Sequence, residues 1–133
     1  MLIKFYEFLE KIKNSPVWRR PFLLWPIIAT LVLNIGDWLL IYFKFYPLVK
    51  NLPENQSSIP LHYNIYLGID LFGPWTLILL VPLLGLLIAI VNSLLAVLLY
   101  NKKEIISYFL IFSTIIIQIL FIISTFLTIL INI

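Results

Sequence analysis

Residues 105–131 read IISYFLIFSTIIIQILFIISTFLTILI, a continuous apolar run that contains no charged side chain. Two further stretches, Phe22–Tyr46 and Trp75–Tyr100, are also predominantly apolar. A hydrocarbon core about 30 Å thick is crossed by roughly 20 apolar residues in a helix, and all three stretches exceed that length. The sequence therefore predicts an all-α membrane protein with three transmembrane helices.

The composition supports this prediction and argues against several classes of function. Of the 133 residues, 62% are hydrophobic and 11% are charged, and the mean hydropathy is +1.08. These values lie far from those of soluble domains, so we predict one membrane domain over residues 1–133. The absence of cysteine excludes disulfides, thiol nucleophiles and Cys-based metal sites. The sequence contains no Gly-rich phosphate loop and no nucleophile–base set, so we predict a protein that is not an enzyme and has no catalytic residue, metal or cofactor.

The basic residues flank the predicted spans unevenly, so the net charge of +3 indicates membrane topology and not nucleic-acid binding. Lysines and arginines cluster before the first span and in the turn 101–104, whereas the loop 47–74 contains only Lys50. The positive-inside rule then places the N-terminus and this turn in the cytoplasm. The loop and the C-terminus are predicted to face outward, in a bacterial cytoplasmic (inner) membrane.

The segment 1–14 is predicted to form an amphipathic helix at the membrane surface. Its apolar residues recur at spacings of three and four, as expected for one helix face: Leu2, Phe5, Tyr6, Leu9 and Ile12. Such a helix lies in the headgroup layer, where its lysines contact anionic lipid. Pro16 ends the helix, and the charged start and length of the following run predict a retained span and not a cleaved signal peptide.

Exposing the polar residues of the predicted spans to lipid costs free energy, so we expect these residues to face one another. Counting residues at about 1.5 Å each predicts two polar layers. One comprises Asn34, Asp37 and Gln118, and the other Asn92 with Ser113 or Thr114. Three roles remain open for Asp37: a structural contact between helices, a contact with a partner subunit, and the carrying of a proton or cation. Ser124, Thr125 and Thr128 are expected to bond to carbonyls of their own helix.

The loop between the first two spans divides into two parts. Its first part is polar and rich in turn-forming residues. Residues 59–66 combine β-prone and aromatic side chains, which predicts a short strand or an ordered segment against the membrane surface. Gly68 and Gly73-Pro74 are predicted to form sharp turns before the second span.

The loop also carries a motif. The chain reads Leu52-Pro53, then Pro60-Leu61-His62-Tyr63-Asn64, then Gly68-Ile69-Asp70. This pattern resembles the Leu-Pro … Pro-x-His-x-Asn … Gly-x-x-Asp loop of the small uncharacterised N-terminal domain of SdpI-type bacterial immunity membrane proteins. It is also similar to short three-span bacterial proteins of unknown function. The resemblance implies a bacterial membrane protein whose loop residues Pro60, His62, Asn64, Gly68 and Asp70 matter for function.

Alternatives remain open for both the motif and the whole chain. His62, Asn64 and Asp70 either hold the loop in shape, recognise an external ligand, or supply a base. The leading hypothesis is a non-enzymatic recognition or immunity-type module that acts through the loop. The alternatives are an accessory subunit of a larger membrane complex and an oligomeric ion or proton transporter that uses Asp37. Expected partners are membrane lipid and either a membrane-protein partner or further copies of the chain.

Overall fold

A computed structural model describes residues 2–50 and 58–133 of the chain. Three of its helices are long and apolar enough to cross a membrane: Pro21–Val49, Trp75–Leu99 and Glu104–Leu130. They coincide with the three predicted runs to within a few residues. The prediction of three helices that are long and apolar enough to span a membrane is therefore confirmed.

The N-terminal segment forms helix α1 (Leu2–Lys13), followed by a 3₁₀ turn (Pro16–Arg19). Most of α1 is exposed, and the half-buried Ile12 packs against the helices that follow. The helix ends at Lys13. Ser15, which follows it, attaches this segment to the bundle, because its hydroxyl donates a hydrogen bond of 3.2 Å to the carbonyl of Val97. The predicted leader helix is thus present and attached to the second span.

The first span consists of three consecutive helical segments. Helix α2 (Pro21–Leu40) continues into one π-helical segment (Ile41–Phe45) and ends in the short helix α3 (Tyr46–Val49). Pro47 is tolerated in the first turn of α3, where a helix does not need its backbone N–H. The span therefore extends to Val49, three residues beyond its predicted end.

The second and third spans form an antiparallel hairpin. A 3₁₀ segment (Trp75–Leu79) leads into α4 (Leu80–Leu99), and α5 (Glu104–Leu130) returns after a short turn. The two helices are neighbours because the connection between them is too short to allow another arrangement.

The loop between the first two spans contains a β-hairpin, which corrects the all-α prediction. Strand β1 (Ser58–Asn64) pairs with the antiparallel strand β2 (Gly68–Pro74). The strand expected near residues 59–66 is present, but Gly73 and Pro74 lie in β2 and not in a turn. Gly68 follows the turn 65–67 directly as the first residue of β2, and its φ of 76° favours glycine.

The buried residues form two apolar clusters separated by a polar layer. The N-terminal cluster contains Val17, Leu23, Ala96, Val97, Tyr100 and Ile111. The hairpin cluster contains Ile41, Phe45, Val49, Ile59, Ile78 and Ile129. The helix residues buried between these clusters include Thr30, Asn34, Asp37, Thr114, Gln118 and Thr125. Most large apolar side chains of the spans point outward instead, as expected for helices that pack through polar contacts and face lipid.

Candidate functional site

The β-hairpin is held on the helical bundle by the C-terminal end of α5 and by Asn132, which follows that helix. The hydroxyl of Thr128 donates a hydrogen bond of 3.2 Å to the carbonyl of Leu61, and the side-chain amide of Asn132 donates one of 2.7 Å to the carbonyl of Pro60. Ile59 is buried in the hairpin cluster. Strand β1 therefore rests on the bundle through both polar and apolar contacts.

His62 and Asp70 face each other across the hairpin. Nδ1 of His62 lies 2.6 Å from Oδ1 of Asp70, and the two side chains are 61% and 30% exposed. The hydrogen bond from His62 lowers the pKa of the Asp70 carboxyl below its usual value of 3.8. An ionised carboxylate only accepts hydrogen bonds, so Nδ1 of His62 carries the hydrogen and Nε2 is left for another partner.

The remaining motif residues shape the turn. The side-chain carbonyl of Asn64 accepts a hydrogen bond of 2.9 Å from the backbone N–H of Tyr66, and Gly68 pairs with Asn64 where β2 begins. The structure thus places Pro60, His62, Asn64, Gly68 and Asp70 on one hairpin. Leu52 and Pro53, which open the motif, lie outside the described residues.

The tip of the hairpin is apolar and exposed. Ile65, Tyr66 and Leu67 connect the two strands, and their exposed fractions lie between 77% and 91%. The sequence predicts Ile65 and Tyr66 only as part of the ordered segment 59–66, because the sequence alone does not show that these residues form the end of a hairpin.

A cleft with a volume of about 470 Å³ separates β1 from α5. The hairpin contributes Leu61, His62 and Tyr63, and α5 contributes side chains between Leu120 and Leu130, followed by Ile131. This stretch of α5 extends over roughly 16 Å. The lining of the cleft is mostly apolar, with polar groups at His62, Ser124 and Thr128. The sequence alone does not reveal this cleft, because the cleft depends on where the hairpin packs against the bundle.

The predicted pairing of intramembrane polar residues is confirmed for two pairs. The amide of Asn34 lies 3.4 Å from Oε1 of Gln118, and it also donates a hydrogen bond of 2.9 Å to the carbonyl of Pro82. Nearer the N-terminal cluster, the amide of Asn92 donates a hydrogen bond of 2.9 Å to the hydroxyl of Thr114. The three spans are therefore joined by side-chain hydrogen bonds.

Asp37 departs from the prediction that it joins Asn34 and Gln118. Its carboxyl is fully buried, yet within the described part of the chain neither oxygen has a hydrogen-bond partner. The hydroxyl of Thr125 is the polar side-chain group that neighbours and interacts with this carboxyl, but the two do not reach hydrogen-bonding geometry, and the hydroxyl has no other partner among the described residues. Thr128 bonds to the carbonyl of Ser124 as predicted, whereas the same prediction is wrong for Thr125.

The described residues contain no group of three or more His, Cys, Asp or Glu side chains that could hold a metal ion. Among residues 2–50 and 58–133, no nucleophilic side chain forms a hydrogen bond with His62. No protein-family model, curated protein or solved structure matches the chain. The resemblance to SdpI-type immunity proteins therefore stays a prediction.

Proposed function

We propose that this protein is a non-enzymatic recognition module of a bacterial inner membrane, of the immunity type, and that its β-hairpin binds the ligand. One observation carries the proposal: the hairpin is fixed to the bundle at Pro60 and Leu61, while its tip and the His62–Asp70 pair are exposed. A rigid support that presents exposed side chains lowers the entropy lost on binding.

The ligand that suits this geometry is an amphiphile that reaches the protein from the bilayer. The cleft offers hydrogen-bonding groups at His62 and an apolar wall along α5. The exposed tip at residues 65–67 adds apolar surface beside it. A membrane-active peptide or a lipid combines the polar and apolar surfaces that would complement such a site.

The proposed topology places the hairpin outside the cell. In support, the N-terminal basic segment and the Lys102–Lys103 turn lie at the same end of the bundle, since Val17 and Tyr100 share the N-terminal cluster. The positive-inside rule assigns that end to the cytoplasm. The chain contains no cysteine, so single-cysteine variants allow a direct test. An impermeant maleimide added to intact cells should label Tyr66→Cys and leave Lys103→Cys unlabelled, and the opposite pattern would contradict this topology.

The function is tested by photo-crosslinking in living cells. A crosslinking amino acid at Tyr66 or Leu67 should capture a peptide or a lipid, and mass spectrometry of the product distinguishes the two. The matched control is Phe109, which is 72% exposed but lies on α5 near the N-terminal cluster. Capture at the hairpin alone supports the proposal. Capture of one stoichiometric membrane protein from all three positions would indicate an accessory subunit instead.

A loss-of-function experiment complements the crosslinking. Replacing residues 59–70 by a flexible linker of equal length should abolish any protection that the protein gives its host against membrane-active peptides. The double variant His62→Ala, Asp70→Ala tests the polar end of the site without removing the hairpin. Full protection by the linker variant would overturn the proposal.

A further inference from the structure

The interior of the bundle contains a carboxyl group, and no cationic side chain of the described residues lies beside it to balance a negative charge. Asp37 lies on α2 and has no exposed surface. The sequence places no charged residue in the second span (75–99) or in the third span after Glu104. Lys44, the nearest charged residue on the first span, is exposed and lies two turns away. No cationic side chain therefore faces Asp37 from α2, α4 or α5.

The carboxyl oxygens themselves and the neighbouring hydroxyl of Thr125 are also without hydrogen bonds. Both oxygens of Asp37 and the hydroxyl oxygen of Thr125 are buried without a hydrogen-bond partner in the described residues. Buried polar atoms are almost always paired, and a buried charge without a partner is strongly unfavourable. These three oxygens from two adjacent helices therefore indicate a bound group of opposite charge.

We propose that Asp37 and Thr125 form an occluded binding site for one small monovalent cation, H⁺ or Na⁺. A single positive charge neutralises the single carboxylate, whereas a divalent ion would leave an excess charge in the interior. Carboxylate and hydroxyl oxygens are hard ligands that suit either cation. The site is distinct from the hairpin, so it goes beyond the proposed recognition function.

The surroundings explain why the site is occluded. On the hairpin side, Ile41, Phe45 and Ile78 belong to the buried apolar hairpin cluster. On the other side, Asn34 and Gln118 bridge the three spans. Cation exchange therefore requires one of these two layers to open.

The π-helical segment (Ile41–Phe45) is the natural place for such an opening. It begins one turn after Asp37, and the N–H of Ile41 is shared between the carbonyls of Asp37 and Trp38. Single π turns are less stable than regular helix and occur frequently at functional sites. The π-helical segment therefore couples cation binding at Asp37 to the geometry of the first span near the hairpin.

Thermal unfolding of the purified full chain in detergent, followed by tryptophan fluorescence, tests the proposal. The wild type is compared in sodium, potassium and choline chloride of equal ionic strength, at acidic, neutral and alkaline pH. Asp37→Asn keeps the size of the side chain but removes its charge. Asp70→Asn is the matched control, because it removes the chain's other aspartate from the exposed hairpin. We expect the wild type and Asp70→Asn to be stabilised by Na⁺ or by low pH, and Asp37→Asn to lose that dependence.

Infrared spectroscopy of the wild type distinguishes the two cations without relying on a variant that has to fold. The chain has two aspartates, so carbon-13 labelling of aspartate in a cell-free synthesis gives two carboxyl signals. A protonated-carboxyl band that persists at neutral pH in the wild type belongs to Asp37, because the pKa of the Asp70 carboxyl is lowered, and such a band identifies H⁺. An ionised Asp37 together with stabilisation by Na⁺ identifies Na⁺. An ionised Asp37 with no cation-dependent stability would overturn the proposal.

Discussion

The side-chain amide of Gln118 donates a hydrogen bond of 2.8 Å to the backbone carbonyl of Gly85. This contact joins α5 to α4, and it depends on the absence of a side chain at residue 85. A Cβ atom there would lie 2.9 Å from Oε1 of Gln118 and 3.0 Å from Nδ2 of Asn34. Gly85 thus provides the space in which the polar contacts of the three spans meet.

Gly85→Ala is therefore expected to destabilise the bundle. The added methyl group forces Asn34 and Gln118 away from their hydrogen-bond partners, and overpacking of this kind costs about 1–3 kcal/mol. The midpoint of thermal unfolding in a mild detergent measures the effect. Gly36→Ala is the matched control, because a Cβ atom there meets nothing within 4 Å. Equal effects of the two substitutions would contradict the close packing at Gly85.

Gln118→Leu tests the hydrogen bonds themselves. It removes the donor to Gly85 and the acceptor near Asn34 while keeping a similar volume in a fully buried position. Interhelical hydrogen bonds in membranes contribute about 0.6–2 kcal/mol, so a loss of that order in the free energy of unfolding is expected. Ile119→Leu, at the exposed neighbouring position, should leave stability unchanged. A Gln118→Leu variant as stable as the wild type would show that packing alone holds the spans together.

His62→Ala is expected to raise the pKa of the Asp70 carboxyl toward 3.8, because the hydrogen bond from His62 is the main cause of its lowered value. The carboxyl carbon resonance of labelled aspartate, followed by NMR against pH, measures this change. Asn64→Ala should shift the titration less, since Asn64 makes only a minor contribution. An unchanged midpoint in His62→Ala would mean that the pair does not form in solution.

The same pair predicts how hairpin stability depends on pH. A carboxyl whose pKa is lower in the folded state stabilises that state above its unfolded value of 3.8, and the contribution is lost as the pH falls through the lowered folded value. The NMR amide resonances of residues 58–74 should therefore show that the hairpin becomes less ordered in strong acid. Asp70→Asn should remove this acid dependence, and its persistence in that variant would assign it to another group.

Asn132→Ala is expected to loosen β1 without unfolding the bundle. It removes the hydrogen bond of 2.7 Å to the carbonyl of Pro60 and leaves Thr128 as the remaining polar contact of α5 with the hairpin. Hydrogen exchange of residues 58–64 should become faster, while exchange in α4 stays unchanged. Asn101→Ala, at an exposed position of the opposite turn, is the control. Unchanged exchange in β1 would show that the apolar contacts of Ile59 suffice.

The sequence determined the membrane-spanning architecture of this protein. Three apolar runs of sufficient length must be helical in a bilayer, because every backbone hydrogen bond has to be made within the segment. The polar residues in the runs had to meet inside the bundle, and counting along the helices paired Asn34 with Gln118 and Asn92 with Thr114 correctly. Periodicity and depth are local properties, so one sequence is enough to show them.

Only the tertiary structure decided the features that depend on how distant segments meet. The second strand was missed because Gly68, Gly73 and Pro74 are turn formers in isolation, whereas pairing with β1 keeps Gly73 and Pro74 extended. The cleft at His62 exists because Thr128 and Asn132 hold the hairpin against α5. The lack of a hydrogen-bond partner for Asp37 among the described residues likewise depends on how the helices pack against one another, which residue spacing along one helix does not fix.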